Sequence, residues 1–126
     1  MIKQELIIKK STFVSYVYEI NDKKEVKHII EKLRKEHKKA RHVCYGYLIN
    51  NGSETAGFSD DGEPKNTAGR PIYEIIKLKN QTNILVVVVR YFGGILLGAG
   101  GLIRAYRQGA ADAINSYILE KEKQND

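Results

Sequence analysis

The sequence is short of cysteine and of long apolar runs, and both shortages exclude classes of protein. Cys44 is the single cysteine among 126 residues, so no disulfide can form within the chain and nothing indicates an oxidising compartment. The longest apolar run, residues 84–89, is far shorter than the ~20 residues that span a bilayer. The first residues carry no long apolar segment of the signal-peptide kind. We therefore expect a cytoplasmic protein with no membrane contact.

The composition and size are those of one globular domain. Hydrophobic residues make up 42% of the chain and charged residues 29%, close to the usage of ordinary globular proteins. A chain of this size buries roughly two-thirds of the surface that its unfolded form exposes, which is enough for a packed core. We expect a single domain over residues 1–126.

The positive charge is concentrated in the first third of the chain. The formal net charge is +6, and residues 1–42 carry twelve lysines and arginines against six acidic residues, whereas residues 43–126 carry nine of each. This asymmetry is compatible with an acidic partner such as RNA. The other interpretation is that the lysines and arginines of residues 23–39 form the solvated side of a helix.

A capping signal and an apolar stripe predict the first helix. Asp22, followed by Glu25 three residues later, fits a capping box for a helix that runs to about Lys38. Residues spaced three and four apart then form its predicted buried stripe, which consists of the apolar Val26, Ile29, Ile30 and Leu33 together with His37.

Periodicity and turn signals predict the other elements. Residues 84–90 form a β-branched run without alternation, which predicts a strand covered on both faces. The remaining predicted elements are strands at residues 6–8, 11–20 and 41–49, a short helix from Pro71 to Leu78 with proline at its first position, and a last helix from about Gly100 to Ile118. Residues 53–70 are predicted to form one long loop.

Three runs of residues carry a resemblance to a known family. They are KKARHVCY at residues 38–45, SDDGEP at 59–64 with TAGRP at 67–71, and VVRYFGG at 88–94 continued by LGAGGLIRAY at 97–106. Together these runs resemble the signature of the Impact amino-terminal domain, which occurs in the bacterial YigZ proteins and in eukaryotic Impact. The resemblance covers about residues 8–118.

The resemblance implies both a fold and a function. The implied fold is α+β, a two-layer sandwich like the second domain of ribosomal protein S5, in which a mixed sheet carries its helices on one face. The implied function is a link to translation, because eukaryotic Impact restrains an amino-acid-starvation kinase by competing for that kinase's activator. Bacterial relatives usually append a second small α/β domain proposed to bind nucleic acid, and we expect this chain to lack it.

The glycine-rich stretch after the buried strand is the first candidate site. Bare backbone N–H groups between a strand and a helix, together with the helix dipole, can hold an anion. The stretch has neither the Lys and Ser/Thr of a P-loop nor a G-x-G-x-x-G fingerprint. The predicted anion-binding residues are Arg41, His42, Arg70, Arg90, Tyr91, Gly93, Gly94, Gly98, Gly100, Gly101 and Arg104. The alternative is that the glycines only permit a tight turn and close helix packing.

The acidic loop Asp60, Asp61 and Glu63 is the second candidate site. Clustered carboxylates bind divalent cations, but SDDGEP lacks the spacing of a calcium loop, and we expect no metal. The alternative is that these carboxylates pair with arginines such as Arg70 and Arg90 and hold the long loop in place.

Cys44 is predicted to be a buried neutral thiol. With His37 and His42 it suggests zinc or a Cys–His nucleophile, but one thiol and no fourth ligand make an incomplete set.

The predicted function is non-enzymatic binding linked to translational regulation. The expected partner is RNA, the ribosome or an acidic surface of a translation-related protein, with no cofactor and no catalytic residue. The rival prediction is a small enzyme or a phosphate-metabolite binder that uses residues 93–101 as an anion cradle and the acidic loop for acid–base or metal chemistry. The oligomeric state stays open.

Overall fold

The structure, a computed structural model that describes residues 1–125, is built around the strand at residues 84–91. The elements in chain order are β1 (Ile2–Ile8), β2 (Ser11–Glu19), α1 (Lys23–Glu36), β3 (His42–Asn50), β4 (Glu54–Ser59), α2 (Gly69–Leu78), β5 (Ile84–Tyr91) and α3 (Gly98–Gln124). β5 lies at the centre of a five-stranded sheet of order β1-β2-β5-β3-β4. Residues 84–89 are fully buried, which confirms the prediction of a strand covered on both faces.

Every neighbouring pair of strands in the sheet is antiparallel, whereas the resemblance implied a mixed sheet. β2 and β3 run parallel to each other, but β5 inserts between them and is antiparallel to both. β4 and β5 are likewise separated by β3. The connections through α1 and α2 therefore place no two parallel strands side by side within residues 1–125.

The helices cover both faces of the sheet, whereas helices on one face were expected. α2 and α3 pack on the face that carries Val86 and Val88. α1 packs on the opposite face, against Leu85, Val87 and Val89. Because successive side chains of β5 point to opposite faces and all of these are apolar, both faces need cover. The α+β class is confirmed, with a helix layer on each side of the sheet.

The start of α1 follows the predicted capping box. The Asp22 carboxylate accepts from the Lys24 backbone N–H at 2.8 Å, and the Glu25 carboxylate accepts from the Asp22 N–H at 3.0 Å. These contacts satisfy N–H groups that have no partner inside the helix. α1 ends at Glu36, two residues earlier than predicted.

The segment predicted as one long loop, residues 53–70, contains an edge strand and the start of α2. β4 pairs only with β3, and most of it is exposed, so it has little apolar pattern to reveal it. α2 begins at Gly69, so Pro71 is its third residue and not its first. The Ala68 cap position has no capping side chain, and the Asp60 carboxylate accepts from the backbone N–H groups of Ala68 and Gly69 instead, at 3.2 and 2.9 Å.

The last helix, α3, lies along the sheet and begins two residues before its predicted start. It buries Leu102, Ala105, Tyr106, Ala110 and Ile114 against the face that it shares with α2. Among the helices of residues 1–125, α3 included, none has the length and apolar character that a bilayer span requires.

Several connections meet at one end of the sheet, which we call the loop end. The register pairs Ile8 with Ser11, Thr12 with Tyr91 and His42 with Arg90, so these strand ends lie side by side. The loop end therefore carries the β1–β2 turn, residues 37–41, the loop at 60–68 and the glycine-rich loop at 92–97.

Gly93 is the glycine whose lack of a side chain the packing requires most strictly. A Cβ added to Gly93 would lie 2.0 Å from the backbone oxygen of Lys10 in the β1–β2 turn. Gly100, in the first turn of α3, is exposed, and a Cβ there would meet only the flexible end of the Arg104 side chain, at 3.4 Å. The two glycines therefore differ in what they do for the fold.

We expect Gly93→Ala to destabilise the protein by about 1–3 kcal/mol, because the β1–β2 turn must move away from the glycine-rich loop. Gly100→Ala is the matched control, and it should leave stability unchanged or raise it by up to ~1 kcal/mol through helix propensity. Urea unfolding followed by circular dichroism measures both. Equal effects of the two substitutions would contradict the close approach at Gly93.

Candidate functional site

A buried ion pair between Glu63 and Arg90 lies at the centre of the loop end. Arg90 is the last but one residue of β5, and Glu63 lies in the loop after β4. Arg90 Nη1 donates to both carboxylate oxygens of Glu63, at 2.8 Å from Oε2 and 3.1 Å from Oε1. The two side chains are 6% and 3% exposed. Since a buried charge without a partner is very costly, the ion pair ties this loop to the end of the sheet.

Two further side chains converge on the Glu63 carboxylate. The Tyr106 hydroxyl of α3 donates to Glu63 Oε2, and burial raises the pKa of this phenol, which therefore stays a donor. His42 Nε2 lies 3.3 Å from Glu63 Oε1, while His42 Nδ1 donates to the Asp61 backbone oxygen at 2.8 Å. β3, β5, α3 and the loop at 60–68 are joined at this one carboxylate.

Cys44 lies beneath this cluster and is fully buried. Its thiol donates to the backbone oxygen of Asp60 at 3.1 Å and lies 3.5 Å from the Tyr106 hydroxyl. Burial raises the pKa of the thiol, so the reactive thiolate is disfavoured. The prediction that Cys44 is buried is confirmed.

The three carboxylates of the acidic loop point to different partners. Asp60 caps α2, and Asp61 accepts from the Val43 backbone N–H at 2.6 Å and pairs with Arg34 of α1 at 2.7 Å. Glu63 pairs with Arg90, as the alternative to a metal site expected. Within residues 1–125, no three His, Cys, Asp or Glu side chains cluster so that they could hold a metal ion.

A cavity of about 320 Å³, which we call the α3 cavity, opens beside the ion pair. Arg41 lines the α3 cavity, and its guanidinium carbon lies 5.1 Å from the centre of the Phe92 ring. Gly98 and Ala99, the first residues of α3, also line it. The full lining consists of Arg41, His42, Glu63, Pro64, Arg90, Phe92, Leu96, Leu97, Gly98, Ala99 and Leu102.

The other predicted site residues are not all brought to this cavity. Arg104 and Gly101 line a second hollow with Lys9, of about 300 Å³, on the other side of Leu97. Arg70 is exposed at the start of α2 and lines neither hollow. Of the remaining glycines, Gly94 lies in the glycine-rich loop, and Gly98 and Gly100 lie in the first turn of α3. Gly94 and Gly98 have φ of +88° and +74°, and Gly100 is exposed.

Tyr91 lies on the opposite face of the sheet from Arg90 and contacts the end of α1. Its hydroxyl is 2.5 Å from His37 Nδ1, and the Tyr16 hydroxyl is 2.7 Å from His37 Nε2. Burial lowers the pKa of His37; Glu36 opposes this shift and Lys3 adds to it. A neutral imidazole has one donor and one acceptor nitrogen, which matches a hydroxyl on each side.

Several residues of the site were not assigned by sequence reasoning. Tyr106 was placed only within the last predicted helix, with no role of its own. A buried tyrosine hydroxyl needs a partner, and that requirement was a usable signal. Arg34, which pairs with Asp61, was counted among the solvated cations of α1. The apolar lining of the α3 cavity carries no sequence signal that separates it from core.

We expect Glu63→Gln to destabilise the protein by about 3–5 kcal/mol, because the Arg90 charge would remain buried without its counter-charge. The control is Glu74→Gln, which breaks the ion pair between Glu74 and Arg107, side chains about half exposed, and should change stability by less than ~1 kcal/mol. Glu63→Gln combined with Arg90→Met should recover part of the loss. Urea unfolding is the measurement, and similar losses for the two Glu→Gln variants would contradict the importance of the buried pair.

We expect stability to fall as the pH is lowered from about 7 to 5, in part through His37. The folded state holds the pKa of His37 below its unfolded value of 6.5, so the unfolded chain takes up the proton first and is favoured. His37→Gln keeps a donor and an acceptor but does not titrate, and it should flatten this pH slope. Urea midpoints measured across the pH range test this, and an unchanged slope in the variant would contradict it.

Comparison with known proteins gives a consistent family assignment. The family model of the Impact N-terminal domain matches residues 9–114. IMPACT family member YvyE of Bacillus subtilis is 40% identical over 121 residues, which is 96% of this chain and 56% of YvyE. IMPACT family member YigZ of Escherichia coli is 39% identical over 117 residues, which is 91% of this chain and 57% of YigZ. The chain thus spans little more than half the length of these relatives.

Two solved structures share the fold. A crystal structure of a hypothetical protein superposes with a TM-score of 0.86 at 40% identity, over 90% of this chain and 56% of the other. The two-domain translational regulator Yih1 superposes with a TM-score of 0.56 at 22% identity, over 87% of this chain and 45% of Yih1, which shows the fold alone. Because the family model spans most of the chain and YvyE matches nearly all of it, this chain belongs to the Impact N-terminal domain family.

Proposed function

We propose that this chain is a non-enzymatic binding domain in translational regulation, and that its loop end contacts RNA of the translation machinery. The observation that carries the proposal is a group of five exposed cations at the loop end, which we call the basic cluster: Lys9, Lys10, Lys38, Lys39 and Arg41. Lys9 and Lys10 form the β1–β2 turn, and the other three immediately precede β3.

The fold brings these two stretches of the basic cluster to the same end of the sheet. The Arg41 backbone N–H donates to the Arg90 backbone oxygen at 2.9 Å. Gly93, three residues after Arg90, lies against the backbone of Lys10. Residues about 30 apart in sequence therefore present charge around one loop end. Such a concentration of positive charge attracts the phosphates of nucleic acids.

The carboxylates near the basic cluster do not neutralise it. Asp60 accepts backbone N–H groups, Asp61 pairs with Arg34, and Glu63 is buried with Arg90. Among residues 1–125, no acidic side chain forms an ion pair with a member of the basic cluster. The charge of the cluster therefore faces solvent.

Exposed apolar side chains also lie at the loop end, and Phe92 is in contact with Arg41. Phe92, Ile95 and Leu96 in the glycine-rich loop are 37%, 40% and 82% exposed. An aromatic ring beside arginine is a surface on which unpaired bases stack, and such stacking tolerates many sequences. This combination favours single-stranded RNA over a uniform duplex surface.

The description of one relative agrees with a role in translation. Yih1 is described as a translational regulator, and human protein IMPACT is 34% identical over 95 residues, which is 71% of this chain. Both relatives are longer than the region that they share with this chain. The role in translation is therefore proposed for the domain, and its partner is proposed from the surface.

The test is binding of a fluorescent single-stranded RNA, and of ribosomes, across a salt series. We expect the affinity to fall steeply with salt. The triple variant Lys38→Gln/Lys39→Gln/Arg41→Gln should bind more weakly. It should also reduce the slope of log affinity against log salt by about 2, because each lost phosphate contact lowers that slope by about 0.7.

The matched control removes the same charge elsewhere. Lys23, Lys24 and Lys27 are exposed at the start of α1, next to the other end of the sheet. Changing these three to glutamine should leave most of the affinity and the slope intact. Equal losses for the two triple variants, or no RNA binding at low salt, would refute the proposal, and binding to ribosomal protein without RNA would redirect it to an acidic protein surface.

A further inference from the structure

We propose that the α3 cavity binds a small organic carboxylate with an apolar body. This inference goes beyond RNA binding and does not depend on it, because it rests on the interior of the cavity, which shares only Arg41 with the basic cluster. The volume of about 320 Å³ lies at the small end of the usual range for ligand sites, roughly 300–1,000 Å³.

The walls of the cavity are mainly apolar. Leu97 and Leu102 form part of them and are only 9% and 5% exposed, while Pro64 and Phe92 supply a rigid ring each. Contact with such walls removes apolar ligand surface from water, which is the main source of affinity for a compact hydrophobic group. The ligand body is therefore a branched aliphatic or aromatic group.

The start of α3 supplies a positive end to this apolar space. Gly98 has no side chain, so it is the backbone of the first helical residue that lines the cavity. The first N–H groups of a helix lack partners within the helix, and the dipole makes this end positive. Leu97 provides no side-chain cap, and residues 98–101 include no acidic side chain that would neutralise this end.

Two arginines add independent support for an anionic group. Arg41 lines the cavity and forms no ion pair with any carboxylate of residues 1–125. Arg90 also lines the cavity and is 5% exposed. Its Nε has no hydrogen-bond partner in the described part of the chain but is itself out of solvent contact, so Arg90 contributes positive charge to the wall and not an Nε–H donor to the ligand. The nearby Glu63 carboxylate is already paired with Arg90 and Tyr106, so it opposes a second anion only weakly.

The same features favour a carboxylate over a phosphate. A phosphate has more acceptor oxygens than a carboxylate and about twice its charge. Phosphate sites therefore supply a lysine and hydroxyl groups as donors in addition to backbone N–H groups. The α3 cavity has no lysine, serine or threonine among its lining residues within the described chain. It offers one solvent-facing guanidinium and one helix start, which suit a single carboxylate.

The test is a titration of ¹⁵N-labelled protein with phenylacetate, followed by ¹H–¹⁵N chemical shifts. Saturable shifts are expected at residues 41–42, 90–92 and 96–102, with a dissociation constant at or below about 10 mM, the weak end of the affinity of a fragment of this size. Phenylacetamide, which has the same body without the charge, and inorganic phosphate, which has the charge without the body, should each bind at least about tenfold more weakly. N-acetyl-phenylalanine tests whether the carboxylate comes from a polypeptide chain terminus or from a free metabolite.

Variants locate the site and keep the test independent of RNA binding. Ala99→Phe places a bulky side chain at an exposed position of the cavity, outside the basic cluster, and should abolish the phenylacetate shifts while RNA binding stays unchanged. Arg41→Gln should weaken phenylacetate binding about fivefold, whereas Arg107→Gln, an exposed arginine outside the cavity, should not. No saturable shifts, equal binding of phenylacetate and phenylacetamide, or full binding by Ala99→Phe would each overturn the proposal.

Discussion

The buried charge of Arg90 constrains the arrangement of the whole loop end. It stands at the end of a strand whose other inward residues are aliphatic, with Phe13 and Phe92 near its guanidinium carbon. Such a position is tolerable only with a counter-charge, and Glu63 must therefore reach it from a loop. The loop at 60–68, the start of β3 and the start of α3 take their places around that contact, and the α3 cavity is the space left beside it.

The elements that sequence reasoning predicted well are those with strong local signals. The capping box of α1 and the apolar run of β5 are visible in neighbouring residues alone, and a free cysteine is usually buried whatever its partners are. The position of β5 between β2 and β3 depends on pairing with residues about 70 positions away in β2 and about 45 positions away in β3. Hydrophobic periodicity within a strand does not indicate which strand it pairs with. The edge strand β4 was missed because an exposed strand needs no apolar alternation. The likeness to ribosomal protein S5 stays a prediction.

The candidate site was predicted in part, and the limits are physical. The pairing of Glu63 with Arg90 was one of two alternatives, and only the register of the sheet brings Arg90 opposite His42. The glycine-rich loop had also been given two roles. Gly93 supports the packing role, because it accommodates the backbone of Lys10, whereas the anion-binding role stays a prediction. Arg41 and Arg104 line different cavities on either side of the first turn of α3. The spacing of residues in the sequence does not predict this separation.

The central position of β5 also bears on how the chain folds during synthesis. β2 and β3 make no ladder with each other, so the β1–β2 hairpin and the β3–β4 hairpin stay separate until residues 84–91 have left the ribosome. Two half-sheets with open edges are prone to incorrect pairing, and contacts distant in sequence form slowly. The insertion of β5 closes the open edges of both hairpins at once. α3, which follows β5 in the chain, then completes the cover of the face that carries Val86 and Val88, so neither hairpin has a finished core before both segments are present.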